Sequence, residues 1–408
     1  MVDIREPSPR KPDWIRVRLP SGETWKEVDR VLAARQLRTV CDEARCPNKG
    51  ECWGAGTATF MILGDVCTRS CRFCAVNSAR KGQPPRAGEG AAIARAAKDL
   101  GLRYVVLTSV DRDDLPDHGA GHFAAVIRAI KEGIPGIGVE ALIPDYTGDE
   151  LRDILAAGAE VIAHNVETVP SLQWVRDRRA SFERSLTTLR ELKAAAGKGA
   201  PLTKTSLLLG LGEKPEEVLA VMDELRDAGV DILVMGQYLR PSKKQIPVAE
   251  YISPDQFARY AGEGRNRGFL RVISSPFART SYHAREAWEF RKSQGGRVRI
   301  ETLGKPPGSK LIRLSAELEG DLIKTIRIRG DFFASPEESF DRLEMRLAGT
   351  SLAGLAASFD SLLREEGIEA FGITGAGVAS VLATAVLTAA VPAAAVSEKT
   401  EEARGSSL

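Results

Sequence analysis

An α/β fold, a partial (β/α)6 TIM-like barrel followed by a small C-terminal α/β module, is what this sequence predicts. Three observations carry the prediction. From Thr59 onward, short β-branched or apolar runs alternate with helical patterns at the spacing of βα units. The residues richest in chemistry sit directly after those runs, where the loops of an α/β barrel build its active site. Further on, Gly304-Lys305-Pro306-Pro307-Gly308 has linker chemistry, and the pattern changes beyond it.

Taken in order, the strands are expected at Thr59–Leu63, Tyr104–Thr108, Gly138–Ile143, Glu160–His164, Thr203–Leu208 and Ile232–Met235. Helices are expected between them at Glu89–Leu100, His122–Lys131, Asp149–Ala157, Ser181–Ala195 and Pro215–Asp227. The last opens with proline and acidic residues suited to a first turn. Past the linker, Lys310–Ala316 and Leu322–Arg329 read as two strands, with helices at Pro336–Leu347 and Leu352–Glu366. The expected organisation is an N-terminal extension (1–58), a barrel (59–295), the module (304–390) and a disordered tail (391–408).

All six cysteines fall in two triplets, Cys41-x4-Cys46-x5-Cys52 and Cys67-x3-Cys71-x2-Cys74. A cubane iron–sulfur cluster is normally held by four thiolates, so each triplet leaves one iron without a cysteine. Open coordination is what separates catalytic from structural metal sites. Disulfide frameworks belong to small secreted chains. Zinc remains the stronger competitor, although it favours four ligands, and His118, His122, His164 and His283 all lie far downstream.

With 43% hydrophobic and 27% charged residues the composition is that of an ordinary globular chain, and a net charge of +2 requires neither nucleic acid nor an anionic membrane surface. The stretch Ala370–Ser397 lacks charge and is long enough to span a bilayer. Its Ala, Gly, Thr and Pro392 favour a packed helix running into a tail instead. Clustered reduced cysteines and a start, Met1-Val2-Asp3-Ile4-Arg5, without a signal-like apolar segment lead us to expect a cytoplasmic protein.

Cys67-Thr68-Arg69-Ser70-Cys71-Arg72-Phe73-Cys74 resembles the motif of radical S-adenosylmethionine (SAM) enzymes. Within that superfamily the chain is similar to the lipoyl synthases from about Trp14 to Glu289. The likeness runs through the Cys41 triplet, Val105-Val106-Leu107-Thr108-Ser109-Val110-Asp111-Arg112-Asp113-Asp114, His164-Asn165-Val166-Glu167-Thr168, Leu209-Gly210-Leu211-Gly212-Glu213 and Gly236-Gln237-Tyr238-Leu239. The resemblance implies two [4Fe–4S] clusters and SAM. Cys67, Cys71 and Cys74 would hold the cluster that SAM chelates, whose reduction generates a 5'-deoxyadenosyl radical. Cys41, Cys46 and Cys52 would hold an auxiliary cluster that donates sulfur. Arg279-Thr280-Ser281-Tyr282 resembles the family's Arg-Ser-Ser-Tyr segment and would give Ser281 the fourth auxiliary ligand. Phe73, Thr108, Asn165 and Glu167 would contact SAM or order its site, with packing and strand-end hydrogen bonding as the competing roles.

The family reaction places two sulfur atoms on unactivated carbons of an octanoyl chain carried by a lipoyl domain (E2) or a glycine cleavage H protein. No tuned side chain removes a proton from such a methylene, so a radical route is required. The implied partners are these octanoylated carriers, a low-potential donor such as ferredoxin or flavodoxin, and a cluster-repair protein. Competing functions are a methylthiotransferase, a biotin-synthase-like enzyme and a two-cluster electron carrier. The upstream triplet argues against the first two. Departures from the pattern are Thr280 for serine, His118 for a common glycine, and Val272–Pro276, which lacks the usual Gly-Pro entry to the serine segment. Arg69, Arg72 and Lys204 are read as surface charges, and Asp111, Asp113 and Asp114 as a solvated or helix-capping cluster. The C-terminal module resembles the accessory domain of lipoate-protein ligases through Ile326-Arg327-Ile328-Arg329-Gly330-Asp331-Phe332-Phe333 and Leu343-Glu344-Met345-Arg346. The adenylating ligase domain has no counterpart, so no ligase activity is expected.

Overall fold

The computed structural model describes residues 8–16, 22–54, 58–195, 200–281, 297–306, 308–319, 322–352 and 354–389. The chain divides into two compact units, Met1–Arg285 and Glu286–Leu408. In the first, one sheet runs β1 (Arg38–Thr39), β2 (Thr59–Ile62), β3 (Tyr104–Ser109), β4 (Gly138–Leu142), β5 (Val161–Ala163), β6 (Leu202–Leu209), β7 (Ile232–Gln237) and β8 (Arg271–Ser274), in that spatial order. β1 is antiparallel to β2, and every later pair is parallel. The order ends at β8 without returning to β1, so the barrel is partial.

These residues form strands because both faces of the sheet are covered. All four residues of β2 and all six of β7 are buried, the continuous apolar pattern of parallel strands under helices. The covering helices are Glu89–Asp99, Ala120–Gly133, Gly148–Ala156, Phe182–Ala194, Pro215–Asp227 and Pro254–Asn266. Ser181 and Ser253 cap two of them by accepting from Arg184 N at 3.1 Å and Gln256 N at 3.2 Å. Each cap contributes about 1 kcal/mol.

All six predicted strands are present, and a seventh parallel strand, β8, follows the helix Pro254–Asn266. Its four residues are only half-buried and run into Ser275-Pro276, so neither strong alternation nor a continuous apolar run announces it.

The second unit begins its sheet earlier than the linker reading allowed. β9 (Arg297–Gly304), β10 (Ile312–Glu319) and β11 (Leu322–Gly330) form an antiparallel sheet, and the Gly304–Gly308 segment lies in the connection from β9 to β10. Helices Glu337–Arg346, Leu355–Glu365 and Gly375–Ala389 complete it. The last helix buries Val378, Val381 and Leu382 with Ile312, Leu343 and Phe359. Among the described residues no helix is long and apolar enough to cross a membrane. The tail from 391 lies outside the described residues.

Candidate active site

The second cysteine triplet occupies the loop after β2 and is pinned by three other strand-end loops. Thr68 N donates to Asp111 O at 2.9 Å, Arg72 N to Val175 O at 2.7 Å, and Ile246 N to Arg72 O at 3.1 Å. Gln245 Nε2 donates to Cys74 O at 3.0 Å. Two sulfurs themselves accept backbone N–H groups: Cys67 Sγ from Arg69 at 3.4 Å and Cys71 Sγ from Asp177 at 3.3 Å. Hydrogen bonds to sulfur are among the features that tune iron–sulfur sites. Phe73 packs against an apolar cluster containing Val175, Leu211, Tyr238, Ile246 and Val248.

Beneath this loop lies a network of charges that the sequence reading had placed at the surface. Arg69 is buried and ion-pairs with Asp145 at 2.8 Å, Asp113 at 3.0 Å and Asp111 at 3.3 Å. Arg112 is also buried and holds Asp114 at 2.8 Å. The three aspartates are therefore neither a solvated cluster nor helix caps; two of them neutralise the arginine inside the cysteine loop. Burial pushes the Asp111 carboxyl up despite Arg69, whereas hydrogen bonds from Arg69 and Thr68 overcome burial and hold Asp113 below the usual carboxylate range. Lys204 is wholly buried as well, paired with Glu140 at 2.8 Å. Of the three supposed surface cations only Arg72 is exposed.

The first triplet is built on two short helices. Cys41 lies in Val40–Glu43 and Cys52 in Lys49–Gly54, with Cys46 N donating to Cys41 O at 3.0 Å between them. Asn48, in the same loop, donates from Nδ2 to Phe277 O at 2.7 Å. That bond ties the triplet to the segment ending at Ser281. At the other end of the segment Thr280 Oγ1 donates to Asn165 Oδ1 at 3.0 Å, and Asn165 Nδ2 donates to Glu167 Oε1 at 3.2 Å. The segment also presses on β7: a Cβ on Gly236 would stand 1.9 Å from Ala278 O, so only glycine admits the crossing. Arg279 is half-buried near Cys46; desolvation draws its guanidinium down, opposed by Cys46. Residues from Tyr282 to 296 lie outside the described ones, including His283.

All six cysteines are free. Burial pushes Cys67 and Cys71 up to about 12 and Cys41 up to about 11, and raises Cys46 and Cys74. A desolvated thiol keeps its proton until a neighbouring cation compensates the thiolate. These soft donors thus suit a group that brings its own positive charge. Among the described residues no three His, Cys, Asp or Glu side chains converge as around a single ion. Ligands on separate corners of a cube stand farther apart than ligands on one ion.

The structure brings Asn165, Glu167 and Thr280 together, and the Glu167 carboxylate lies close enough to raise Cys71 and Cys74. Glu167 adopts φ 66°, a left-handed backbone uncommon outside glycine and typical of functional turns. Thr108 is buried near the end of β3, and Ser281 is half-buried beside Thr280. His118, the residue in place of a usual glycine, has φ 49°, which explains that preference. The sequence reading missed Asn48 and Asp177, and it quoted Arg279 in the serine segment without giving it a role. No pattern of their own marks Asn48 and Asp177.

The family model of the radical SAM superfamily matches residues 61–235. The chain is similar to a lipoyl synthase of Methanocella arvoryzae, 51% identical over 286 residues, covering 69% of this chain and 96% of the relative. It is similar to a mitochondrial lipoyl synthase of Arabidopsis thaliana, 49% identical over 290 residues, covering 69% and 77%. Among solved structures, a bipartite lipoate protein ligase and its E2 lipoyl domain from Thermoplasma acidophilum match at 27% identity and a TM-score of 0.19, covering 22% of this chain and 97% of that one. Methylornithine synthase matches at 15% identity and a TM-score of 0.41, covering 63% and 80%.

A partial parallel barrel carrying its three-cysteine loop after the first parallel strand, matched by that family model, defines a radical SAM enzyme. Such enzymes use an iron–sulfur cluster and SAM. The chain belongs to the lipoyl synthase family. It is a sulfurtransferase acting on lipoyl-carrier domains.

Proposed function

We propose that the chain inserts two sulfur atoms into the octanoyl chain of an octanoylated E2 or H-protein carrier by using two [4Fe–4S] clusters. Cys67, Cys71 and Cys74 would hold the cluster that binds SAM. Cys41, Cys46, Cys52 and Ser281 would hold the auxiliary cluster, the sulfur source. Bound SAM and its cluster supply hydrogen-atom abstraction, chemistry beyond any side chain. The protein's part is to hold and shield. Arg69 would offset negative charge at the cluster of the second triplet, Phe73 would give SAM an apolar wall, and Asn165 and Glu167, with Thr108, would order its polar end.

One observation carries this reading: the segment ending at Ser281 is tied through Phe277 to Asn48 of the first triplet and through Thr280 to Asn165 beside the second. A hard serine oxygen among three thiolates is a weak, displaceable ligand, as a consumed cluster requires. A low-potential donor such as ferredoxin or flavodoxin would supply electrons, and a repair protein would restore the consumed cluster, most simply in the reducing cytoplasm. The C-terminal module would dock the carrier or a separate ligase; deletion from Glu286 that leaves carrier affinity and turnover unchanged would reject that role. The main test is anaerobic reconstitution with an octanoylated carrier peptide. Mass spectrometry should find a product gaining two sulfurs, and full activity with only about four irons per chain would reject the two-cluster reading.

A further inference from the structure

Outside the cysteine loop lies an open cavity of about 480 Å³ whose lining includes Ser70, Arg72, Gln173, Trp174, Asp177 and Arg178. Its floor is one hydrogen bond from a cluster-ligand candidate: Asp177 accepts from Ser70 N at 3.0 Å while its own N–H reaches Cys71 Sγ at 3.3 Å. None of the lining residues belongs to the first triplet or to the segment ending at Ser281. Among the described residues the cavity therefore borders the loop of the second triplet and not that of the first. A carrier delivering an octanoyl chain must reach both sulfur-bearing sites, whereas an electron donor needs only the one that is reduced.

The rim is basic and aromatic. Arg72 lies over the exposed Trp174 ring, 5.3 Å from its centroid. Arg178 is exposed, and so are Lys243 and Lys244 on the turn whose Gln245 and Ile246 bond Cys74 and Arg72. Asp177, the carboxylate of the lining, is already matched by Arg179 at 2.8 Å. In a chain of net charge +2 this concentration of cations is local. Local positive fields steer acidic partners, and Trp and Arg anchor interfaces.

We propose that this cavity is the docking site of an acidic protein carrying a low-potential one-electron centre. The proposal rests on the reading of Cys67, Cys71 and Cys74 as cluster ligands. One electron would pass from the donor's reduced centre to the cluster that Cys67, Cys71 and Cys74 would hold; no bond forms or breaks in the transfer.

The test uses the full-length holoenzyme and two reductants: a reduced acidic two-cluster ferredoxin, and reduced methyl viologen, a small cation. The bleaching rate of the cluster absorbance and the affinity for oxidised ferredoxin are both measured. Arg72→Glu/Arg178→Glu should slow bleaching by ferredoxin at least about tenfold at low salt, a typical steering effect. It should also weaken ferredoxin binding and flatten the salt dependence, while viologen bleaches it as fast as the unsubstituted enzyme. Lys243→Glu/Lys244→Glu, off the cysteine loop, should show a smaller loss of the same kind and serves as the test if the first variant loads no cluster. Unchanged ferredoxin binding and rate in the loaded variants would overturn the proposal. So would a raised KM for the octanoylated carrier with ferredoxin reduction intact, which would assign the surface to the carrier. Failure of viologen to bleach the unsubstituted enzyme, or its loading without Cys67, Cys71 and Cys74, would sink the underlying ligand reading instead.

Discussion

Thr280 donates its hydroxyl to Asn165 Oδ1 at 3.0 Å, a side-chain bond that spans 115 positions of sequence and fastens the serine segment to the strand end beside the second triplet. Its geometry explains why threonine serves where serine is usual, since the bonding atom is common to both. Thr280→Ser should therefore stay close to the unsubstituted activity. Thr280→Val leaves the Asn165 oxygen without its donor at a cost of about 1 kcal/mol or more, so sulfur insertion should fall roughly five- to tenfold. SAM cleavage, which the proposed function assigns to the second triplet, should persist. The ratio of lipoyl product to 5'-deoxyadenosine measures this, and a parallel loss of both would refute the coupling.

Gly236→Ala should disturb the same segment from the other side. The added methyl would lie 1.9 Å from Ala278 O and 2.9 Å from Arg279 Nη1, and the first of these is backbone that cannot simply swing aside. Overpacking of this kind costs about 1–3 kcal/mol. A lowered thermal midpoint should accompany reduced iron retention at the first triplet. A midpoint equal to that of the parent would show that the segment crosses elsewhere.

The two triplets should fail separately. Cys71→Ala removes the sulfur that accepts Asp177 N–H and should abolish SAM cleavage. Cys46→Ala, close to the half-buried Arg279, should leave cleavage intact but prevent sulfur insertion. Iron analysis and the two product assays decide the matter; identical defects in both variants would contradict the division of roles.

How much of this was legible in the sequence follows from the range over which each feature is determined. The six buried strands are local, written in runs such as Ile232-Leu233-Val234-Met235, and the cysteine spacing is local too. β8 was missed because a half-exposed four-residue strand has no period of its own and takes its place from β7. β9 was missed because the Pro–Gly segment beside it dominated the reading. Arg69 and Lys204 were misplaced for a different reason. A charged residue is buried only when partners arrive from distant loops, here Asp113, Asp145 and Glu140, and no local pattern announces them.

His164 makes stability pH-dependent. The ring is fully buried, with Nδ1 at 3.0 Å from Ile143 O and Nε2 at 2.9 Å from Ser185 Oγ. Burial and the nearby Arg176 and Arg69 lower its pKa to about 4, with Asp145 opposing. Because the folded value lies below the ordinary 6.5, the unfolded chain takes up the proton first. The stability that neutral His164 permits is thus complete above about pH 6.5 and is lost as pH falls toward 4, by at most ~3 kcal/mol. Urea midpoints between pH 7 and 4.5 should decline less steeply for His164→Asn than for the parent; equal slopes would show that the ring is protonated in the fold.

The pair Lys204–Glu140 offers the sharpest energetic test because both side chains are fully buried, 2.8 Å apart, and Tyr104 Oη donates to the same carboxylate at 3.0 Å. Desolvating two ions costs about what their attraction returns, so the pair as a whole contributes little net stability. Breaking it is another matter. Lys204→Met would strand the carboxylate in the barrel interior and should cost about 3–5 kcal/mol. Adding Glu140→Gln removes the orphaned charge while leaving an acceptor for Tyr104, so the double variant should be more stable than the single one. Denaturant midpoints of the three proteins measure this coupling. A double variant no more stable than Lys204→Met would mean that the lysine acts by filling volume rather than by balancing charge.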